Sequence, residues 1–361
     1  MEQTLRLYWT HPAVQWHGRG ISESIADAIK LLGFELTDKI QEADLAFFSS
    51  DSQLDARCIG KVPTLCMFWG WMEERFFEPG FHSLAEAKIT LMNECTRILV
   101  PSMITYYEAC HMGLKTHVCV PGVDSDLLNR YSKPNVSRKK QLIVLGRLEG
   151  YKGLQDVIRA VAGIEPRIPI VAVGSGDTTR WRELASELKV PIEFYTAADD
   201  ETKVLLLQES TALVHASHYE GFGLVPLEAL HQGTPIIVND IPQLRHLCKD
   251  FAYYYDGVDN LIDAIQWVFA NPKEVALVTA AGKRYVDQFY TLAQFSERLW
   301  AHIHQTIKEF WGAKVKANPQ DQETVRRAYE AEHRRNWAYG NPSAPQWASG
   351  PARFDPTWSR H

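Results

Sequence analysis

The chain has 361 residues, 45% of them hydrophobic and 23% charged, with a net charge of −6 at pH 7. That length suits about two domains of roughly 100–200 residues, each able to bury a core, and the acidic balance excludes a global basic field for nucleic acid or anionic lipid. The six cysteines are scattered without a Cys-x-x-Cys pair, and "MEQTLRLYWTHP" lacks the basic start of a signal peptide. No apolar run reaches the ~18–20 residues of a membrane span, so the expectation is a reduced, cytoplasmic protein, at most peripheral to a membrane.

Short apolar runs alternate with amphipathic stretches. In the first part the pattern predicts strands at Leu5–Trp9, Asp44–Phe48, Thr64–Phe68, Ile98–Val100 and His117–Val120. Helices are predicted at Ser22–Leu32, Ser83–Asn93 and Ile104–His111. A polar seam, "YSKPNVSRKK" (131–140), reads as an interdomain linker, with the linker proper over 132–140. The scheme then repeats, with strands at Gln141–Leu145, Ile168–Val173, Ile192–Tyr195, Ala212–His215 and Pro235–Val238. Its helices fall near Leu154–Ala162, Arg180–Leu188, Glu201–Glu209, Leu227–Gln232 and Ile241–Leu247. Strand-helix alternation of this kind argues parallel sheets with helices on both faces. Two such units imply a cleft, and ligands of open α/β sheets bind at the carboxyl ends of the strands. A long helix follows over Thr291–Trp311, another is expected over Gln322–Tyr339, and the proline-containing remainder reads as irregular.

Chemistry is therefore sought just after each strand. "GRLEGYKG" (146–153) combines permissive glycines, the cations Arg147 and Lys152, and a helix start at Gly153. That is the makings of a diphosphate site, or else a βα turn with two solvated charges. "GSGD" puts Gly174 and Gly176 after the next strand, a pattern common in βα turns generally. "HYEGFGLVPLEAL" carries Glu220 in a loop and Glu228 eight positions later, with Pro226 expected in the first helical turn and Glu228 beside it. By themselves these acids read as an acid/base pair, two sides of one ligand site, or a loop acid and a helix-start acid. Near the N-terminus, Gly18 and Gly20 precede a helix with Ser22 as its expected N-cap, and His11 and His17 lie in the same loop. No His or Cys cluster has metal-ligand spacing, and Asp124-Ser-Asp126 reads as a helix start.

Taken in order, "LGRLEGYKGLQDVIRAV", "VAVGSGD", "IEFYTAAD" and "VHASHYEGFGLVPLEALHQGTPIIVNDIPQLRHL" resemble the family 4 glycosyltransferases of GT-B fold, known also as glycosyl transferases group 1. "EGFGLVPLE" looks like their E-x7-E signature, and "VPGVD" like their "PNGVD" without the asparagine. The resemblance covers most of residues 1–290. It implies two Rossmann-like domains facing a central cleft, with a C-terminal helical extension. The acceptor-side domain would span 1–131 and the nucleotide-sugar-binding domain 141–290. Helices over 291–340 are expected to pack back on the first domain; the tail beyond Trp311 matches nothing in the family, and 341–361 is expected to be irregular from its composition alone.

The resemblance also implies roles. Arg147 and Lys152 match the pair that holds the donor diphosphate, and Gly174 and Gly176 match the turn beside the nucleotide. Glu220 matches the acid on the sugar hydroxyls, and Glu228 the acid on the ribose. Phe222, Gly223 and Leu224 match the loop whose N–H groups approach sugar and phosphate; Gly18 and Gly20 look like the first domain's glycine loop. The family's usual histidine after the fourth strand is absent from "PTLCMFWGWMEERFF". Trp69, Trp71 and Glu74 stand there and, with His17, are expected on the sugar or acceptor side.

The implied reaction moves a hexose from a UDP- or GDP-sugar to an acceptor hydroxyl with retention, needing no metal or other cofactor. The acceptor is left open among a glycan, a lipid-linked glycan, a small molecule and modified DNA. The Arg/Trp-containing tail keeps open a viral-DNA glycosyltransferase acting on hydroxymethylated bases. A non-catalytic, epimerase or phosphorylase protein of GT-B fold is the further alternative.

Overall fold

A computed structural model describes residues 5–9, 21–71 and 81–317. The described residues up to Ile307 form one compact unit, and Lys308 and the residues after it fall outside it.

In the first unit, twelve strands among the described residues form two wholly parallel, six-stranded sheets. The first sheet contains β1 (Arg6–Trp9), β2 (Glu35–Thr37), β3 (Leu45–Phe48), β4 (Thr64–Met67), β5 (Arg97–Val100) and β6 (Thr116–Val118), in the order β2-β1-β3-β4-β5-β6. Between them run α1 (Ile21–Leu31), α2 (Phe81–Asn93) and α3 (Met103–His111). The second sheet contains β7 (Lys139–Leu145), β8 (Ile170–Val173), β9 (Ile192–Tyr195), β10 (Ser210–His215), β11 (Ile236–Asn239) and β12 (Tyr253–Tyr255). Their order, β12-β11-β10-β7-β8-β9, is that of a dinucleotide-binding fold, with its switch point between β7 and β10. Its helices are α4 (Ser125–Tyr131), α5 (Leu154–Ala162), α6 (Thr179–Glu187), α7 (Asp200–Glu209), α8 (Leu224–His231), α9 (Pro242–Cys248), α10 (Gly257–Ala270) and α11 (Pro272–Phe289). The helix α12 (Leu292–Ala317) comes last.

The apolar runs are continuous because the central strands are covered on both faces. Alternate residues go to different cores. Leu45 and Phe47 of β3 join Leu7 and Leu65 in one cluster, whereas Ala46 and Phe48 join Tyr8 and Cys66 in another. In β7, Leu142 and Val144 face one core while Ile143 and Leu145 face the other. Leu292, Phe295, Leu299 and Ile303 form a stripe at helical spacing on α12, and this stripe belongs to the first sheet's core with Leu7 and Leu45.

The boundary between the lobes differs from the sequence reading. Val123 and Leu128 lie in the second sheet's core, so α4 belongs to that lobe although it precedes residue 132. The expected linker is not a free tether either. Arg138 donates to the carbonyls of Ser210 and Gly233 at 2.5 Å each, Lys133 N–H donates to Gln208, and β7 already begins at Lys139. A polar, proline-containing sequence reads alike whether its groups bond to water or to a neighbouring lobe.

Two chain crossings join the lobes side by side. Val123 N–H donates to the Tyr290 carbonyl at 2.7 Å, and Val123 bridges Thr291 in parallel. Any Cβ at Gly122 would collide with the Thr291 carbonyl. The Arg298 guanidinium donates to the carbonyls of Val120 at 3.0 Å and Phe289 at 2.7 Å, one on each crossing.

Candidate active site

The loops after β7 and β10 meet at the switch point of the second sheet. Gly153 makes this meeting possible. Its φ of +72° is left-handed, and any Cβ there would collide with the Ala216 carbonyl. Gly153 is also the N-cap of α5, so Lys152 lies at a helix N-terminus. Gly174, at φ +151°, packs in the same way against Gly146, and Gly176 packs against Leu148.

Lys152 Nζ donates to Glu220 Oε1 at 2.5 Å, and both side chains are largely buried. His215, buried at the end of β10, places Nε2 2.8 Å from the same oxygen. Burial by itself would push the Glu220 carboxyl up. The Lys152 charge and the hydrogen bond from His215 outweigh burial and hold the group well below the ordinary carboxylate range. An ionised carboxylate only accepts, so His215 Nε2 carries the proton of this bond. Arg147 pairs with Glu149 at 3.0 Å and donates to the Tyr151 hydroxyl. The Tyr151 phenol is pushed up to about 12, chiefly by burial. Its ring lies beneath Lys152, with Nζ 4.9 Å from the centroid.

Across from these loops, the segment after β4 brings Trp69, Gly70 and Trp71. The indole N–H of Trp69 donates to the Ser49 carbonyl at 2.7 Å, and that of Trp71 to Asp51 at 3.3 Å. Both rings are thereby fixed. A cavity of about 200 Å³ is lined by Trp69, Gly70, Trp71, Arg147, Tyr151, Lys152, Tyr219, Glu220 and Gly221. That is smaller than the roughly 300–1,000 Å³ of small-molecule sites.

The sequence-selected residues separate into groups. Arg147, Lys152, Glu220, Trp69 and Trp71 share the cavity wall. Phe222 is buried in the second lobe's core, 6.2 Å from the Tyr290 ring, and Gly223 (φ +101°) is the N-cap of α8, which Leu224 opens. Glu228 is not in that wall; it faces Lys203 of α7 at 3.6 Å. Two local expectations fail. Helix α8 begins at Leu224 rather than Leu227, so Glu228 lies in its second turn and is no helix-start acid. Ser22 is not an N-cap, because α1 already begins at Ile21; its hydroxyl meets that of Ser49 at 2.8 Å. His11, His17, Gly18, Gly20 and Glu74, and the expected helix over Gln322–Tyr339, lie outside the described residues.

Sequence reasoning passed over His215, Tyr151 and Tyr219. A single histidine ending an apolar strand looks like a core residue, and the one available signal was its place five residues before Glu220.

A switch-point crevice with paired cations and a buried carboxylate, between two parallel sheets, defines a two-lobed α/β protein of GT-B fold. HepE of Anabaena, solved in complex with UDP-glucose, superposes with a TM-score of 0.70 at 14% identity, covering 84% of this chain and all of that one. Residues 127–286 match the family described as glycosyl transferases group 1. An uncharacterised glycosyltransferase of Methanocaldococcus jannaschii is 34% identical over 144 residues, 38% of this chain and 34% of its own length. The D-rhamnosyltransferase WbpZ of Pseudomonas aeruginosa is 32% identical over 138 residues, 35% of each chain. The alignments thus span about a third of the length of these curated relatives. Among the described residues no helix is long and apolar enough to cross a membrane.

Proposed function

We propose that this protein is a glycosyltransferase that moves a hexose from a nucleotide-diphosphate sugar to an acceptor hydroxyl, with retention and without a required metal. The observation that carries this reading is the Lys152–Glu220–His215 cluster at the switch point and at the start of α5. Arg147, Lys152 and the first amides of α5 take the diphosphate, where negative charge gathers as the sugar–phosphate bond breaks. Charge held there more strongly in the transition state than in the ground state lowers the barrier. Glu220, kept ionised, accepts from the sugar hydroxyls. The N–H groups around Phe222, Gly223 and Leu224 approach sugar and phosphate, and Gly174 and Gly176 flank the nucleotide. Glu228 takes the ribose hydroxyls with the capacity that Lys203 leaves it. The departing phosphate accepts the acceptor's proton on the same face, so no enzyme nucleophile is required. Trp69 and Trp71 offer fixed aromatic faces on the sugar or acceptor side. HepE was solved with UDP-glucose, which makes UDP-glucose the first donor to test and GDP-sugars the second.

The test is sugar transfer or donor hydrolysis by wild type, Lys152→Ala and Glu220→Gln. We expect both variants to lose at least about 100-fold in rate, the scale of a lost transition-state contact, while circular dichroism stays native. Full activity in either folded variant contradicts the assignment.

A further inference from the structure

The two neighbours of Glu220 in the chain are both held by the opposite lobe. The Thr105 hydroxyl, on α3, donates to the Gly221 carbonyl at 2.9 Å. The Tyr219 hydroxyl donates to Glu108 Oε2, one turn further along α3, at 3.2 Å. The other oxygen of Glu108 accepts from Gln243 Nε2 of α9 at 3.1 Å. Glycines permit the close approach. A Cβ at Gly221 would collide with the Trp69 carbonyl, and one at Gly70 with the Tyr219 hydroxyl. Burial and then the Glu108 charge push the Tyr219 phenol up, so it remains a donor across the neutral range.

We infer that Thr105 and Glu108 are positioning residues, which latch the Tyr219–Gly221 segment to the first lobe and so aim Glu220 only when the lobes are together. This rests on the donor-site reading of Glu220. Neither residue touches the Glu220 carboxylate, whose partners Lys152 and His215 come from its own lobe. What the latch adds is the backbone position on either side of Glu220. Lobe apposition and an assembled sugar site thereby become one event. An open molecule would hold the nucleotide on the second lobe but leave the acid misaimed.

The experiment compares wild type with Thr105→Val, Thr105→Ser, Glu108→Gln and Tyr219→Phe by amide hydrogen exchange, UDP affinity and steady-state kinetics with UDP-glucose. We expect exchange over residues 217–222 to rise at least about tenfold in Thr105→Val and Glu108→Gln while β7 is unchanged, with Thr105→Ser retaining protection. The turnover number should fall about 10- to 100-fold, the cost of a misplaced group near the chemistry, with UDP affinity within twofold of wild type. Tyr219→Phe combined with Glu108→Gln should lose less than the two single losses together, since the variants share the Tyr219–Glu108 bond while Glu108 also holds Gln243. Unchanged exchange overturns the latch whatever the activity. Raised exchange with turnover within twofold of an active wild type overturns its positioning role. A wild type that turns over no nucleotide-sugar, yet shows the exchange pattern, upholds the latch and overturns the donor-site reading instead.

Discussion

One carboxylate oxygen, Glu220 Oε1, takes both the Lys152 ammonium and His215 Nε2. Truncating one partner of such a buried pair leaves an uncompensated charge, which costs about 3–5 kcal/mol. Lys152→Ala and Glu220→Ala should therefore couple, the double variant losing less stability than the sum of the singles, as denaturant titration would show. The same pair predicts a pH dependence. The folded-state carboxyl lies below its unfolded value, so its contribution is complete above roughly pH 4.3 and is lost as pH falls toward the folded value. Melting temperature against pH should fall less steeply below pH 4 in Glu220→Gln than in wild type. Parallel slopes would contradict the ion pair. Arg147, Lys152 and Glu220 stood out in the sequence through the order of several glycine-containing loops, since each charge by itself read equally as a solvated turn or loop charge. His215 did not, since a histidine ending an apolar strand looks like a core residue, nor did Tyr219, whose partner Glu108 is 111 positions away.

At the scale of elements, the site depends on loops that only glycine allows. Gly153 combines a left-handed φ with contact against the Ala216 carbonyl. Gly153→Ala should lose at least about 1–3 kcal/mol to backbone strain and should also move Lys152 away from Glu220. Urea unfolding and UDP titration would check both effects, and near-wild-type values for both would contradict the packing. The central strands of each sheet were readable as apolar runs because both of their faces are covered. The edge strands β2 and β12 have three residues each, too few to show a period. The start of α8 was placed late because its first turn, Leu224–Pro226, contains proline and follows a glycine loop.

At the scale of the molecule, two parallel sheets present their strand ends to one cavity, and two adjacent crossings pinned by Arg298 connect them. The lobe boundary was the least readable feature. Helix α4 joins the second core through Leu128, while the stripe on α12 returns to the first. The allegiance of α4 does not follow from chain order, whereas the return of α12 was expected. The central claim is that a nucleotide-diphosphate sugar binds at Arg147, Lys152 and Glu220. Thermal denaturation with and without UDP-glucose and a GDP-sugar, in wild type and Lys152→Ala, tests it most directly. A donor at a hundred times its Kd stabilises by about 2.7 kcal/mol, which should raise the wild-type Tm by roughly 3–4 °C and leave the Tm of Lys152→Ala within about 1 °C of its ligand-free value. An unshifted wild type, or an equal shift in the variant, would contradict the account.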